Sequence, residues 1–152
     1  MIEVNVDKNF AAYHICSNKE KIQFDTVHHF LDKESYWAKG IPTDTLRAAI
    51  ANSICLGAYL HDGTQIAFGR MITDCATFGY LADIFVVQAH RRKGISKELM
   101  AAFCELGEQF GLRRFLLTTQ DAHGLYQQFQ FVPFPYPERL MSRAGVVYQQ
   151  KK

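Results

Sequence analysis

Two helices and one strand are predicted in the first third of the chain from the spacing of its apolar residues. Residues 11–17 form a short, mostly apolar segment that predicts a first strand. Asp25, a residue type that caps helix starts, precedes an apolar face that runs to Leu31. A second helix is predicted to open after Pro42, with Leu46 on its buried face. The early chain is therefore expected to be mostly helical.

The period of the pattern changes near residue 53, where apolar runs typical of strands begin. Residues 54–60 and 65–72 form two such runs around Asp62-Gly63, which is a strong turn signal, and together they predict a β-hairpin. Residues 77–87 predict a third strand, whose second half is almost wholly apolar. Because strands buried on both faces have continuous apolar runs, this third strand is expected near the centre of the sheet.

The pattern returns to a helical period at Gly94. Ile95, Leu99 and the apolar residues that follow share one face, and Gly111 is a typical helix end. Residues 113–119 then predict a strand that runs parallel to the preceding one, since a helix connects the two.

The last part of the chain predicts one short helix and two late strands. The helix is expected at residues 122–129, and the strands at 131–134 and 145–150, with a proline-rich stretch between them. The element order predicts one mixed α/β domain over residues 1–152.

Composition narrows the class of protein. Hydrophobic residues make up 48% of the 152 residues and charged residues 21%, as in a globular domain. The net charge of +2 is too small to favour nucleic acid or an acidic membrane as a partner. The four cysteines form no C-x-x-C pair, and no apolar leader or spanning segment is recognisable, so we expect a cytoplasmic protein without a metal site.

The stretch H-R-R-K-G-I-S lies where the third long strand turns into a helix. Unpaired backbone N–H groups and the helix dipole make such a start an anion site. Arg91, Arg92 and Lys93 add positive charge, Gly94 allows close approach of a bulky diphosphate, and Ser96 is small. These residues predict a pyrophosphate site, although a solvated basic helix start without a ligand is the alternative.

The same stretch resembles the acyl-CoA loop of the GNAT superfamily of N-acetyltransferases, whose pattern is [QR]-x-x-G-x-[GA]. Arg91 and Gly94 match this pattern, whereas Ser96 departs from it mildly. A second segment, A-H-G-L-Y-Q-Q-F-Q-F-V-P-F, resembles the family's A-x-x-L-Y-x-x-x-G-F-x-P segment. Its Tyr126 stands at the family's usual tyrosine, and its Gln130 at a position where glycine is common.

The resemblance implies a mostly antiparallel twisted sheet of six to seven strands, splayed at its two central parallel strands and flanked by about four helices. It implies acetyl-CoA as cosubstrate, no metal, and direct transfer to a primary amine of a small molecule or peptide in a ternary complex. A homodimer through the late strands is also in keeping with the family. The implied cofactor contacts are Phe85, Val86, Val87, Arg91, Arg92, Lys93, Gly94, Ile95, Ser96 and Thr119.

Two residues are candidates for proton transfer. Tyr126 is the predicted acid that protonates the departing thiolate, because a phenol has a suitable reference pKa of about 10. Asp83 lies in an apolar strand, where an unpaired carboxylate is costly to bury. Asp83 is therefore either the base that accepts the amine proton or a structural acid paired with a core cation or hydroxyl. Backbone N–H groups near Phe85 and Val86 are predicted to bind the developing oxyanion.

An aromatic acceptor wall is predicted, which favours an apolar or aromatic amine over a polyanion. Its candidates are Tyr36, Trp37, Phe78 and Tyr80. A non-catalytic sensor that binds acyl-CoA or CoA is the alternative function, since it would need neither Tyr126 nor Asp83.

Overall fold

The computed structural model describes residues 3–148 of the chain, which form one six-stranded sheet with helices on both faces. The strands lie side by side in sequence order, and only the last pair, β5 and β6, is parallel. Their bounds are β1 Asp7–Asn9, β2 Tyr13–Cys16, β3 Ile54–Leu60, β4 Gln65–Thr73, β5 Phe78–Val86 and β6 Arg114–Leu117.

Four α-helices accompany the sheet in the described part of the chain. They are α1 Phe24–His29, α2 Thr43–Ala51, α3 Ile95–Phe110 and α4 His123–Gln127. A π-helical turn, Phe30–Glu34, extends α1, and 3-10 turns lie at Lys19–Lys21, Gln88–His90 and Pro137–Arg139. No helix within residues 3–148 combines the length and the apolar character needed to cross a lipid bilayer.

The sheet buries a different apolar cluster on each face. On one face, Leu99 and Phe103 of α3 pack with Leu56 of β3. On the other, Leu31 and Leu46 pack with strand residues such as Phe68. Because successive side chains of a strand point to opposite faces, these central strands are apolar at nearly every position.

Strands β5 and β6 separate part of the way along their length. Their pairing ends at Leu81, whereas β5 continues to Val86. On the other edge of β5 the register with β4 shifts, so that Asp83 and Ile84 oppose Gly69 alone. Asp83 adopts a left-handed φ of 58°, and such a bulge bends a strand locally. The bulge therefore accompanies the point where the two strands part.

Much of the predicted architecture is confirmed. The fold class, the hairpin and the parallel β5–β6 pair are as expected. Helix α2 begins directly after Pro42, and α3 lies between Gly94 and Gly111, both of which have positive φ. Asp25 is not a cap, because Gln23 is the N-cap of α1 and Asp25 lies within the first turn. Strand β1 was not predicted from the sequence.

The prediction of two late strands is wrong. Residues 131–134 and 145–148 form no strand, and residues 149–150 lie outside the described part of the chain. Pro133 removes a backbone donor from the first segment, and the second exposes Val146 and Val147 almost fully. Consequently β6 is an edge strand within residues 3–148. The parallel pair was expected at the centre of the sheet, and it lies at one side of it instead.

Candidate functional site

The loop between β5 and α3 forms an open backbone site at the start of α3. Gly94 is the N-cap of α3 with φ of 79°, and no side chain caps the helix start. A Cβ atom at Gly94 would meet no atom within 4 Å, so the space beside this residue is open. The first N–H groups of α3 have no partner within the helix, and they lie where its dipole is positive. This geometry fits an anion such as a diphosphate.

The three cations of the loop differ in their contacts. Arg91 donates from Nε to the carbonyl oxygen of Val86 at 3.0 Å, so its guanidinium lies over the end of β5. The Lys93 ammonium is 3.4 Å from Nδ1 of His90. Arg92 has a left-handed φ of 65° and is exposed. The loop therefore carries positive charge around a helix start that already attracts anions.

The end of β5 directs alternate backbone groups to its two edges. Val87 donates to the carbonyl oxygen of Ile66 in the β4 direction at 2.9 Å. Since N–H groups alternate along a strand, Phe85 also faces β4, whereas Val86 faces the gap left by β6. The side chain of Phe85 is buried and stacks on Phe30 with a centroid distance of 3.9 Å. Of the two predicted oxyanion donors, only Val86 is directed into the gap.

A cavity of 710 Å³ opens beside the point where β5 and β6 part. It is lined by residues of the segment after α1, of β4, β5 and β6, and of the segment that leads into α4. Six residues predicted from the sequence line this one cavity: Tyr36, Trp37, Tyr80, Asp83, Thr119 and Tyr126. The fold therefore gathers three of the four predicted acceptor-wall residues and both proton-transfer candidates into one space.

Asp83 is the centre of a buried polar contact in the wall of this cavity. Arg70 donates from Nε to Oδ2 of Asp83 at 2.6 Å, and Trp37 donates from Nε1 to Oδ1 at 2.8 Å. Only 6% of the Asp83 side chain and 15% of the Arg70 side chain are exposed. Both carboxylate oxygens are thus engaged, which agrees with the alternative of an acid paired with a core cation.

Tyr126 lies on α4 and is half-buried in the same cavity. Burial raises the pKa of its hydroxyl above the ordinary value of 10, and nearby Tyr36 and the Asp121 carboxylate raise it further. A higher pKa keeps the phenol protonated through neutral pH. Tyr126 is therefore held in the form that can donate a proton.

Two predicted residues have surroundings of their own, because the Thr119 hydroxyl is bonded to the backbone and Phe78 lies away from the cavity. The Thr119 hydroxyl accepts a hydrogen bond from the backbone N–H of Ala122 at 3.0 Å, which fixes the entry to α4. Phe78 begins β5 and does not line the cavity, so the fold does not bring it together with the other predicted residues of the acceptor wall. The residues of the loop before α3 also lie outside the cavity, beyond the end of β5.

Three charged or aromatic residues of the cavity were not predicted as site residues from the sequence. Arg70 is a cation in an otherwise apolar strand, and this signal could have identified it. Asp121 and Tyr148 lie in segments without a periodic pattern, so that only the fold brings them to the cavity. Within residues 3–148, no three His, Cys, Asp or Glu side chains come together to hold a metal ion.

Comparison with known proteins agrees with the geometry. The family model for the Acetyltransferase (GNAT) family matches residues 24–131. An inferred acetyltransferase of Gibberella zeae is 27% identical in an alignment of 147 residues in length, and the match covers 83% of this chain and 83% of that one. The solved structure of an inferred GNAT acetyltransferase from Xanthomonas campestris pv. campestris is 41% identical, with a TM-score of 0.85, covering 90% of this chain and 96% of that one.

A more distant structure shows the same fold with a ligand. The Mycobacterium tuberculosis protein Rv2747, solved in complex with CoA, is 14% identical, with a TM-score of 0.66, and the match covers 79% of this chain and 72% of that one. The family match spans well over half of the chain and includes the loop before α3 and the tyrosine of α4. The chain therefore belongs to the GNAT family of acetyltransferases, which use acetyl-CoA as the acetyl donor.

Proposed function

We propose that this protein transfers the acetyl group of acetyl-CoA to a primary amine by direct attack in a ternary complex. The observation that carries the proposal is the relation of the two sites along β5. The cavity lies beside the middle of this strand, where β6 leaves it, and the open start of α3 follows the end of the same strand. A long donor molecule with a diphosphate and a distant thioester would span these two sites.

The diphosphate would bind the backbone N–H groups at the start of α3, with charge from Arg92 and Lys93. Gly94 leaves room for this group because it has no side chain and no neighbour in that direction. The thioester carbonyl would lie along the free edge of β5. There the N–H of Val86 would stabilise the oxyanion that develops when the carbonyl carbon is attacked.

The chemical step needs one proton donor and one proton acceptor. The amine nitrogen attacks the thioester carbon, the C–S bond breaks, and the departing thiolate takes the proton of the Tyr126 hydroxyl. The substrate enters as an ammonium ion and loses two protons in all. One restores the phenol of Tyr126 and the other leaves to solvent, so that acetyl-CoA and ammonium give amide, CoA thiol and one proton.

Two roles for Asp83 follow from its position. As a base, it would receive the ammonium proton from its place in the cavity wall. As a positioning residue, it would hold the indole of Trp37 and the guanidinium of Arg70 in place for the acceptor. The hydrogen bonds at both oxygens support the positioning role, because each oxygen already accepts from a fixed donor of the wall.

Ligand binding and thiol release test the proposal in two steps. Acetyl-CoA at about one hundred times its Kd should raise Tm by roughly 5–10 °C, whereas ATP at the same concentration should not. Release of CoA thiol that depends on an added amine then establishes transfer. Stabilisation without release from any amine would favour the sensor, and no stabilisation at all would contradict both functions.

A further inference from the structure

The cavity contains one charge that forms no ion pair with any residue of the described part of the chain. Three charged residues line it, namely Arg70, Asp83 and Asp121. Arg70 and Asp83 form an ion pair, so their charges cancel. Asp121 is exposed at the cavity, and within residues 3–148 it forms no ion pair. The cavity therefore has a net charge of about −1 at neutral pH, and a cation is favoured in it.

Asp121 and Tyr126 line the same cavity. The Asp121 carboxylate is also one of the groups that raise the pKa of the Tyr126 phenol, after burial of the hydroxyl itself. A cation held by Asp121 would accordingly lie near the group that donates a proton in the proposed reaction. This is where the acceptor nitrogen is needed, because the attacked thioester must lie beside the same hydroxyl.

Five of the other residues that line the cavity are aromatic, and most of the rest are aliphatic. Its aromatic residues are Tyr36, Trp37, Tyr80, Tyr126 and Tyr148. Two of their hydroxyl groups are already engaged, since Tyr36 accepts from the backbone N–H of Gln120 at 3.0 Å and Tyr80 bonds Thr118 at 2.8 Å. Such rings offer flat apolar surface to another ring and a favourable face to a cation.

We propose that the acceptor is an aromatic monoamine without a carboxylate or phosphate, and that Asp121 binds its ammonium group. This inference rests on the proposed acetyl transfer and specifies its substrate class. The ring would pack against the aromatic wall, and the ammonium would lie between Asp121 and Tyr126.

A negatively charged substituent on the acceptor meets an unfavourable field. Arg70 is the one cation that lines the cavity among the described residues, and it already forms an ion pair with Asp83. A substrate carboxylate near Arg70 would also lie near the Asp83 carboxylate, and like charges at such separations repel. The cavity thus discriminates between an aromatic amine and the amino acid that has the same ring.

Two matched pairs of compounds test this discrimination, tyramine against tyrosine and tryptamine against tryptophan. Each pair differs by one carboxylate. Binding is measured by calorimetry with and without CoA, and transfer by thiol release from acetyl-CoA. We expect kcat/KM and affinity to favour the amine of each pair by about ten-fold or more, which corresponds to a modest charge repulsion. Equal values, or a preference for the amino acid, would overturn the inference and point to Arg70 as a carboxylate site.

The same measurements separate the two proposals. If acetyl-CoA binds but neither amine binds nor reacts, the acceptor class is wrong while the donor site stands. If acetyl-CoA does not bind, the acetyl-transfer proposal fails, and calorimetry on the amines alone still decides whether the cavity prefers them.

An Asp121→Asn variant tests the named residue. Because Asp121 is exposed, we expect KM for tyramine to rise by about two- to five-fold with kcat little changed. The preference for tyramine over tyrosine should fall as well. Glu20→Gln makes the same change of net charge at an exposed position away from the cavity, and it should leave both parameters unchanged. An unchanged KM in Asp121→Asn would overturn the role of Asp121.

Discussion

The buried contact among Arg70, Asp83 and Trp37 should dominate the response of this region to mutation. Replacing Asp83 with asparagine keeps the side-chain shape and tolerates the left-handed φ of 58°, so it removes the charge with little added strain. The Arg70 side chain, 15% exposed, is then left as a charge without its partner. Removing one member of a buried ion pair costs about 3–5 kcal/mol, and we expect a loss of about 3 kcal/mol in the free energy of unfolding.

A double-mutant cycle isolates the pair. Arg70→Met should destabilise the fold by a similar amount, since it leaves the Asp83 carboxylate with only the indole of Trp37. The double variant contains neither charge, and its loss should fall short of the sum of the single losses by at least about 1.5 kcal/mol. Urea unfolding with an unchanged m-value measures all four free energies. A loss below about 1 kcal/mol for Asp83→Asn, or additive single losses, would refute this account of the contact.

Activity of the double variant decides between the two roles of Asp83. If the carboxylate accepts the substrate proton, thiol release stays abolished although stability partly recovers. If Asp83 positions Trp37, the double variant should regain part of the activity that the single variants lose.

Three further substitutions, one of them with a matched control, and one pH profile test other parts of the structure. Tyr126→Phe should lower kcat by about one-hundred-fold while acetyl-CoA still raises Tm, because it removes only the proton donor; retained turnover would exclude that role. In the wild type, the raised pKa of Tyr126 moves deprotonation to higher pH, so the pH profile of kcat should show no fall due to this group below about pH 10. Gly94→Ala should lower the free energy of unfolding by about 1 kcal/mol and weaken acetyl-CoA binding. Gly111 has a similar left-handed φ and equally open surroundings, so Gly111→Ala should lower the free energy of unfolding by the same amount and leave binding unchanged. Equal affinities of the two variants for acetyl-CoA would contradict the diphosphate site. Tyr59→Phe should leave the free energy of unfolding unchanged or raise it by up to about 1 kcal/mol, because the buried Tyr59 hydroxyl has no hydrogen-bond partner within residues 3–148. A clear loss of stability in urea unfolding would show that this hydroxyl does form a hydrogen bond.

The candidate site was predictable where its signal is local. Two short stretches carry such a signal, the cations that precede Gly94 and the leucine-tyrosine segment around Tyr126. In both, the types of neighbouring residues were enough to predict a function. Tyr36, Trp37 and Tyr80 were predicted from their aromatic character, and all three line the cavity. Phe78 has the same character and lies on the same face of β5 as Tyr80, but it stands at the start of the strand, where β6 is still paired, and does not line the cavity. Residue type alone does not tell how far along a strand a cavity extends.

The sequence by itself determined the periods of the helices and strands, the turn at Gly63 and the basic start of α3. Each of these features depends only on residues that are close together in the sequence. The tertiary structure decided the rest. The contact of Trp37 with Asp83 joins positions 46 residues apart, and the gap beside β5 depends on where its pairing with β6 ends. The apolar run at residues 145–148 shows the same limit, because β-branched residues form a strand only where a neighbouring edge pairs with them. Long-range pairing and burial are properties of the assembled fold, and no local pattern records them.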